Sequence, residues 1–442
     1  MGGQIFAGVT NPLYTPRMPP GVYQHVKAAC HGKLRDAFEH VATPIEGPEK
    51  ADFGDIDFLV YSKSIDPQDK SWQREAYIAL SAEDHFSQQS PAASFAIPWP
   101  ESLPVGVEDL HEEELSDKTR YIQVDVQVCE NLDTFRWSVF KHDHGDLWNL
   151  LGSTIRPFGL TIDHKALYVR IAEIEKLDKK KAKIFLSSDP ETVLNFLGLD
   201  PQRWKQPFAT LEETYEYTAT CRFFWVKPES ENGSDVSDEE RIGGEFTRKN
   251  LKSNDRQRMD KRPMFNKWIK EFIPKCREQH RFTERPTDRE GTLEAAFEQF
   301  GVRETYDTRV LEFRKKRQAE TLWKEVIKPA VPIEGINPMF RGCATNGLKK
   351  IILQGDESFG GLSNESLKDE NGLFDEDAVR RFSKAHWKEV ADIAFQRNHD
   401  RLLAKREKDG KEAKVDENIN PNEETGTVPR GSSELVNYQA KS

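Results

Sequence analysis

Three aspartates in two strand-like segments have the types and the spacing needed to bind divalent metal ions. Asp55 and Asp57 lie two positions apart at the start of an apolar run, so a strand would place both side chains on one face. Asp125 lies at the centre of a second alternating segment, YIQVDVQVC. Phosphoryl transfer with two metal ions requires carboxylates that converge on ions about 3.5–4 Å apart. Mg²⁺ prefers such oxygen ligands, and it is commonly held by a few carboxylates together with substrate phosphates.

Each part of this pattern also has a simpler explanation. Short motifs such as Asp-x-Asp often lie in surface turns, and an aspartate in a strand can simply accept hydrogen bonds. The order of the segments favours the metal site, because Gly-Asp-Ile-Asp enters an apolar strand and a lone aspartate flanked by valines follows in the next. An aspartate in that position is costly to bury unless it is paired or bound to a metal.

The segments GDIDFLV and QVDVQV together resemble the palm of family X DNA polymerases, the polymerase β type within the nucleotidyltransferase superfamily. In that family an aromatic-rich strand and then a helix with Asp-x-x-Asn follow the third aspartate, and FRWSVFKHDHGDLWNLLG is similar. GLTIDHKAL and the thumb-like SSDPETVLNFLGLDPQRW then follow in the family's order. The resemblance covers about residues 22–204, a little under half of the chain.

The resemblance implies a role for each matching residue. Asp55, Asp57 and Asp125 would bind two Mg²⁺ or Mn²⁺ ions, and Asp125 would also assist the attacking 3′-hydroxyl. Asp146 and Asn149 would contact the sugar and the base of the incoming nucleotide. A helix N-cap explains Asp146 equally well, because this residue directly precedes the apolar segment LWNLL.

The segment that would bind the phosphates departs from the family pattern. The family has Gly-Ser or Gly-Gly before the first aspartate, with an arginine nearby. Here Gly47-Pro48 stands in a shorter loop, and Pro48 removes a backbone N–H donor. Lys50 could supply the phosphate charge in place of the arginine, although as a point charge rather than a fork. Gly47, Lys50 and Gly54 are therefore the candidate nucleotide-binding residues before the first aspartate.

A basic segment at residues 248–285 is the candidate surface for DNA or RNA. Its arginines and lysines alternate with Phe265, Trp268 and Phe272, a mixture that suits backbone neutralisation and base stacking on single strands. The three aromatic residues also keep helical spacing, which favours a buried helix face with a solvated basic side. The candidates for backbone contacts are Arg256, Arg258, Lys261 and Arg262.

The pattern along the chain predicts an α+β fold, with a mixed sheet and a mostly helical C-terminal region. The predicted regions are an N-terminal arm (1–21), a palm (22–176) with an insertion of loops and short strands (about 65–118), a thumb-like region (177–227), a linker (228–245), a helical domain (246–405) and a disordered acidic tail (406–442). Helical patterns occur at residues 22–40, 186–200, 254–279, 293–329 and 376–408, with a loop at 331–347.

Composition limits the compartment and the partners. The five cysteines are scattered and form no CxxC pair, which is typical of reduced intracellular thiols rather than a disulfide framework. Neither a signal peptide nor an apolar run of about 20 residues is present, so we expect a protein of the cytoplasm or nucleus, not secreted and without a membrane partner. The net charge of −11 argues against a protein coated for nucleic acid, although the acidic residues are unevenly distributed.

The sequence therefore predicts a metal-dependent nucleotidyltransferase that transfers a nucleotide from an NTP or dNTP to a hydroxyl acceptor, with a nucleic-acid 3′ end as the first choice. Template-directed synthesis, terminal addition, and modification of RNA, protein or a small molecule all fit this pattern. The alternative is a degenerate palm that serves as a binding or scaffold module. The short phosphate loop favours the alternative, whereas the three aspartates favour the enzyme.

Overall fold

The described part of the chain has an α+β fold, as the sequence predicted. A computed structural model describes residues 3–8, 11–87, 91–109, 118–226 and 262–408. These residues form a mixed five-stranded sheet, a three-stranded antiparallel sheet, and helices. The predicted linker at 228–245 and most of the predicted tail at 406–442 lie outside them. None of the described helices is long and apolar enough to cross a membrane.

The chain is divided into two compact units, Met1–Tyr306 and Asp307–Ser442. The division falls later than residue 246, where the sequence predicted the helical domain to begin. Helices after that point belong to the first unit because they pack on it. The Tyr215 hydroxyl, for example, donates a hydrogen bond to the Met264 carbonyl over 2.9 Å.

The five-stranded sheet contains the segments that carry the predicted aspartates. Its strands are β1 His40–Ala42, β2 Asp55–Tyr61, β3 Asp84–Ser87, β4 Ala92–Pro98 and β5 Tyr121–Val128. The order across the sheet is β1-β2-β5-β4-β3, with β2 and β5 parallel and the other pairs antiparallel. Both predicted strands, β2 and β5, are confirmed, and they are direct neighbours.

An apolar core under one face of the sheet explains why β2 forms where it does. The helices that contribute to this core are α1 Pro20–Ala37 and α2 Ser71–Leu80. Ile56, Phe58 and Val60 alternate along β2 and are fully buried in the core. Burying one such side chain stabilises the fold by about 1.5–3 kcal/mol. The alternation leaves Asp55 and Asp57 on the opposite face of the sheet.

The region predicted as an insertion of loops and short strands (about 65–118) contains the strands β3 and β4 and also a helix, α2, that the sequence did not predict. Helix α2 has ten residues, and the seven residues of β4 pair with β5 inside the sheet. The buried side chains of Trp72 and Phe95 anchor α2 and β4 in the core. The apolar stretches that form these elements are short and lie between polar loops, so the average composition of the region did not indicate them.

The aromatic segment after β5 forms a helix, α3 Leu132–His142, where the resemblance implied a strand. Asn131 caps its start, because its side chain accepts a hydrogen bond from the Thr134 N–H over 2.8 Å. Trp137 and Phe140 lie one helical turn apart and are both buried, with ring centroids 5.3 Å apart. The cap and the helical spacing of the aromatic residues together favour the helix.

The rest of the first unit, in its described residues, contains helices and the three-stranded sheet. The strands of that sheet are β6 Leu160–Ile162, β7 Leu167–Arg170 and β8 Lys183–Ser187. The helices are α4 Leu147–Ile155, α5 Ala172–Glu175, α6 Pro190–Leu197, α7 Pro201–Trp204, α8 Leu211–Ala219, α9 Pro263–Lys267, α10 Ile273–Glu278 and α11 Arg289–Phe300, with a π-helical turn at Trp268–Phe272. The helix predicted within residues 186–200 is confirmed as α6: Asp189 caps it, and Gly198 ends it at φ +74°.

The described part of the second unit is helical, as predicted. Its elements are α12 Arg303–Thr321, which begins just before the division, a π-helical turn Leu322–Ile327, α13 Lys328–Ala330, α14 Pro338–Gln354, a 3-10 helix Glu365–Leu367 and α15 Glu376–Lys408. Gly301 ends α11 at φ +65°, so the pattern at 293–329 forms separate helices. The predicted loop at 331–347 is shorter than expected, because Asn337 caps α14 through the Met339 N–H over 2.8 Å. The last predicted helix is confirmed as α15.

The predicted N-terminal arm, in its described residues, packs against the first unit. Phe6 and Met18 are fully buried. Met18 and Phe53 exchange two backbone hydrogen bonds of 2.7 and 3.0 Å. Residues 3–8, which include a 3-10 helix at Ile5–Gly8, therefore belong to the folded structure around β2.

Candidate active site

The parallel register of β2 and β5 brings the three predicted aspartates together on one face of the sheet. Asp57 pairs with Asp125, and Asp55 pairs with Gln123. Neighbouring strands lie about 4.8 Å apart, and paired residues of parallel strands project to the same side. The predicted convergence of Asp55, Asp57 and Asp125 is thus present in the backbone.

Asp125 is held by two neighbouring polar side chains. The Gln123 amide nitrogen donates hydrogen bonds of 3.0 Å to both carboxylate oxygens of Asp125. Ser94, opposite Asp125 on β4, also hydrogen-bonds to the carboxylate. Burial raises the pKa of Asp125, the Asp55 charge raises it further, and the two hydrogen bonds lower it. These bonds stabilise the ionised form that a metal ion requires.

Asp57 is the most electrostatically strained carboxyl of the three. Its side chain reaches solvent, yet the surrounding protein still removes much of its hydration. Desolvation is the largest cause that raises the pKa of Asp57, and together with the charges of Asp55, Asp125 and Glu46 it brings the value to about 7. Carboxyl groups that share a site repel one another when ionised, and this repulsion raises their pKa values.

Asp55 is half-buried and has compensating neighbours. Desolvation raises the pKa of Asp55, whereas Lys50, Arg17 and a backbone hydrogen bond from Gly3 lower it. Lys50 also lowers the pKa of Asp57, so one lysine acts on both members of the Asp-x-Asp pair.

The side chains of the aspartates do not form a closed metal cage. Within the described ranges, no three His, Cys, Asp or Glu side chains are grouped closely enough to hold a metal ion. The donors are nevertheless carboxylate oxygens, which suit Mg²⁺ and Mn²⁺. Backbone register places them on adjacent positions, and rotation about the side-chain bonds would have to complete the site.

Glu46 is a fourth carboxylate that sequence analysis did not identify. It accepts hydrogen bonds from the Tyr23 hydroxyl and from Lys50, the latter over 2.5 Å. The ring of Tyr23 stacks on that of Phe53 at a centroid distance of 3.8 Å, and Lys50 lies 5.3 Å from the Phe53 centroid. The predicted phosphate-binding Lys50 is therefore engaged in an ion pair with Glu46.

The candidate glycines make close backbone contacts. Gly145 lies against Gly47, since a Cβ added at Gly145 would be 3.6 Å from the Gly47 Cα. The preceding Ile45 donates its N–H to Asp143 over 2.8 Å and accepts from the His144 N–H over 2.6 Å. These bonds fix the short loop to the turn before α4, so Gly47 has a packing role.

Gly54 is buried directly before Asp55 and packs against Gly3. A Cβ added at Gly3 would lie 2.1 Å from the Gly54 carbonyl oxygen. Gly54 therefore lies in backbone contact with the N-terminal segment.

Asp146 and Asn149 lie together at the start of α4, but Asp146 does not cap that helix. Its side chain makes no capping hydrogen bond. It accepts instead from the Asn149 amide over 3.2 Å and forms an ion pair with Arg262. The N-cap explanation is therefore wrong, and the two predicted nucleotide contacts are coupled to each other.

Only residues 262–285 of the basic segment lie within the described part of the chain. Arg256, Arg258 and Lys261 lie outside the described residues. Arg262 is described, and its ion pair with Asp146 joins it to the predicted nucleotide contacts. Phe265, Trp268 and Phe272 are fully buried, which confirms the interpretation of the aromatic residues as a core-facing side.

Comparison with known protein families and with curated proteins finds no match to this chain.

Proposed function

We propose that this protein is a metal-dependent nucleotidyltransferase with a polymerase β-like palm and thumb. The observation that carries the proposal is the direct pairing of Asp57 with Asp125 on parallel strands, with Asp55 on the same face. The raised pKa values of all three carboxyls support it, because clustered acids with perturbed pKa values mark functional sites.

The chain's own residues supply the binding and the orientation. Asp55, Asp57 and Asp125 would hold two Mg²⁺ or Mn²⁺ ions through carboxylate oxygens. When bound, such ions polarise the attacking hydroxyl and stabilise the pyrophosphate that leaves. Asp146 and Asn149 would orient the sugar and base of an NTP or dNTP, and Lys50 would meet its phosphates.

Intracellular localisation, in the cytoplasm or nucleus, is part of the proposal. All five cysteines are free, and four of them are buried. Burial raises the pKa of Cys30 to about 12 and that of Cys129 to about 11, which leaves these thiols protonated and unreactive. Free structural thiols suit a reducing compartment.

Ligand-dependent stabilisation tests the function without a known acceptor. We would titrate Mg²⁺ and Mn²⁺ with each of the four NTPs and dNTPs and follow the thermal midpoint. A metal together with one nucleotide at 100 times its Kd should stabilise the protein by about 2.7 kcal/mol. The Asp125→Asn variant is the control, and it should not respond. Stabilisation by nucleotide alone, equal in both proteins, would favour the degenerate scaffold.

Replacing Lys50 with alanine should weaken nucleotide binding by about 1–3 kcal/mol, the range for a lost hydrogen bond to a charged group. Phosphate must displace Glu46 from Lys50 in the wild-type protein. The measured loss is therefore the free energy of the lysine–phosphate contact less the cost of breaking that ion pair. The Kd for nucleotide, measured by calorimetry at saturating Mg²⁺, checks this prediction.

Glu46→Gln is the matched control for Lys50→Ala. It removes the competing carboxylate but leaves the lysine, so nucleotide binding should become tighter rather than weaker. If neither substitution changes the Kd, the phosphates are held elsewhere.

A nucleic-acid 3′ end is the acceptor that we propose, and salt dependence tests it. The acceptor is steered by local charge, because exposed charges more than about 10 Å apart are screened at physiological salt. The logarithm of the association constant for single strands should then fall linearly with the logarithm of the salt concentration, with a slope of roughly −0.7 per phosphate contacted. Reversing Arg256, Arg258 and Lys261 together should flatten that slope, as measured by fluorescence anisotropy across salt concentrations.

Arg262→Gln separates the two roles of the basic segment. Because Arg262 pairs with Asp146, this substitution should alter nucleotide binding more than the salt slope. Absence of binding to single strands, duplexes and structured RNA at low salt would instead point to a protein or small-molecule acceptor.

A further inference from the structure

Residues 3–8 lie directly against the carboxylate site. Phe6 is fully buried and anchors the 3-10 helix Ile5–Gly8. The Thr15 hydroxyl donates a hydrogen bond of 2.6 Å to the Gly3 carbonyl. Two separate contacts therefore hold this short stretch in place.

Gly3 fits this position because it has no side chain. Its φ of +83° lies in the left-handed region that favours glycine. A Cβ would also lie 2.1 Å from the Gly54 carbonyl oxygen, a backbone atom that cannot easily move. The close approach brings the Gly3 backbone next to Asp55, where its N–H lowers the pKa of that carboxyl.

A second backbone N–H group, that of Ile5, contacts strand β5 through the side chain of Gln123. The Ile5 N–H donates to the Gln123 amide oxygen over 3.2 Å. With its oxygen so engaged, the buried Gln123 directs its nitrogen at both oxygens of Asp125. These bonds determine the orientation of the amide. Reversing it would place the amide nitrogen against the Ile5 N–H, donor against donor, and the amide oxygen against the Asp125 carboxylate, acceptor against acceptor.

We infer that the backbone N–H groups of Gly3 and Ile5 position the carboxylates of the proposed metal site. Gly3 acts on Asp55 directly, and Ile5 acts on Asp125 through Gln123. The strands fix only the backbone, so repelling carboxylates can rotate apart. Backbone donors oppose this rotation without adding a positive charge that competes with Mg²⁺. The inference rests on the proposed function, and it makes residues 3–8 a part of the site.

Gly3→Ala and Gly8→Ala form a matched pair for the test. A Cβ at Gly8 meets nothing within 4 Å, and that residue has no left-handed φ. We would measure Mn²⁺ affinity of each full-length variant by electron paramagnetic resonance, together with its thermal midpoint. Gly3→Ala should weaken Mn²⁺ binding about 10- to 100-fold, the range for a lost partner of a metal ligand, and Gly8→Ala should bind as the wild type does.

The outcomes separate the inference from the proposed function. A purely structural role of Gly3 would lower the thermal midpoint but leave the Mn²⁺ affinity of the folded protein unchanged, and this result would overturn the inference alone. No Mn²⁺ binding by the wild-type protein would overturn both. If Gly3→Ala does not fold, Gln123→Met replaces it, because it removes the contact to Asp125 and keeps an unbranched side chain. Wild-type affinity in that variant would also overturn the inference.

Discussion

Asp125→Asn should lower nucleotidyl transfer about a thousandfold or more while the protein remains folded. Loss of a metal ligand removes several kcal/mol of transition-state stabilisation, and each 1.36 kcal/mol corresponds to a factor of ten in rate. Asparagine has nearly the same shape, and its oxygen can still accept one of the two hydrogen bonds from Gln123. The rate of nucleotide incorporation at saturating Mg²⁺ measures the loss, and circular dichroism confirms the fold. Asp55→Asn should have the same effect.

Asp133→Asn is the control for a general effect of removing an acid. Asp133 follows the cap of α3, and its side chain is 83% exposed. Its substitution should change neither the rate nor the metal requirement. Turnover of Asp125→Asn within a few-fold of the Asp133→Asn rate would contradict the assignment of Asp125 to the site.

Periodicity along the sequence was sufficient to predict the strands that carry the aspartates. Alternation of apolar residues predicted β2 and β5, and their order suggested that they are neighbours. The parallel pairing of Asp57 with Asp125 follows from a crossover that runs through β4, which the sequence did not reveal. Local patterns define strands well, whereas pairing depends on contacts far apart in the chain.

Residues that support the aspartates could not be predicted, because their partners are distant in sequence. The Ile5–Gln123 hydrogen bond spans 118 residues, and the Arg262–Asp146 ion pair spans 116 residues. Glu46 lies in a loop whose composition gives no sign of a nearby carboxylate site. A glycine at position 3 has many possible explanations until its φ and its contact with Gly54 are known.

The predicted helix boundaries were wrong where a capping residue determines the end of the helix. The aromatic residues before α4 suggested a strand by resemblance, but the Asn131 cap and the spacing of Trp137 and Phe140 produce α3. Gly301 and Asn337 likewise end and begin helices inside segments predicted otherwise. Two asparagine caps and one left-handed glycine therefore outweighed the average character of their segments.

In metal-free buffer, Asp57→Asn should remove a pH-dependent loss of stability that the wild-type protein shows. The folded pKa of Asp57 is about 7, above the ordinary value of 3.8, so the unfolded chain releases this proton at a lower pH than the folded protein does. The folded state therefore binds more protons between about pH 4 and pH 7, and its stability falls as pH rises through this window. Urea unfolding of both proteins from pH 4 to pH 8 measures the difference, in which the contributions of other groups largely cancel.

Added Mg²⁺ should reverse this loss only where Asp57 is present. Above pH 7 the three carboxylates are ionised and repel one another, so a divalent cation that binds them stabilises the folded state, by about 2.7 kcal/mol at 100 times its Kd. Asp57→Asn should be the more stable protein in chelator and gain little from Mg²⁺. Stability differences between the two proteins that stay constant with pH, or equal gains from Mg²⁺, would contradict a shared carboxylate site. We therefore expect Asp57→Asn to be the more stable protein in chelator and the wild type to be the more stable protein in Mg²⁺. The reason is that the clustered negative charges destabilise the metal-free wild type and attract the cation when it is present.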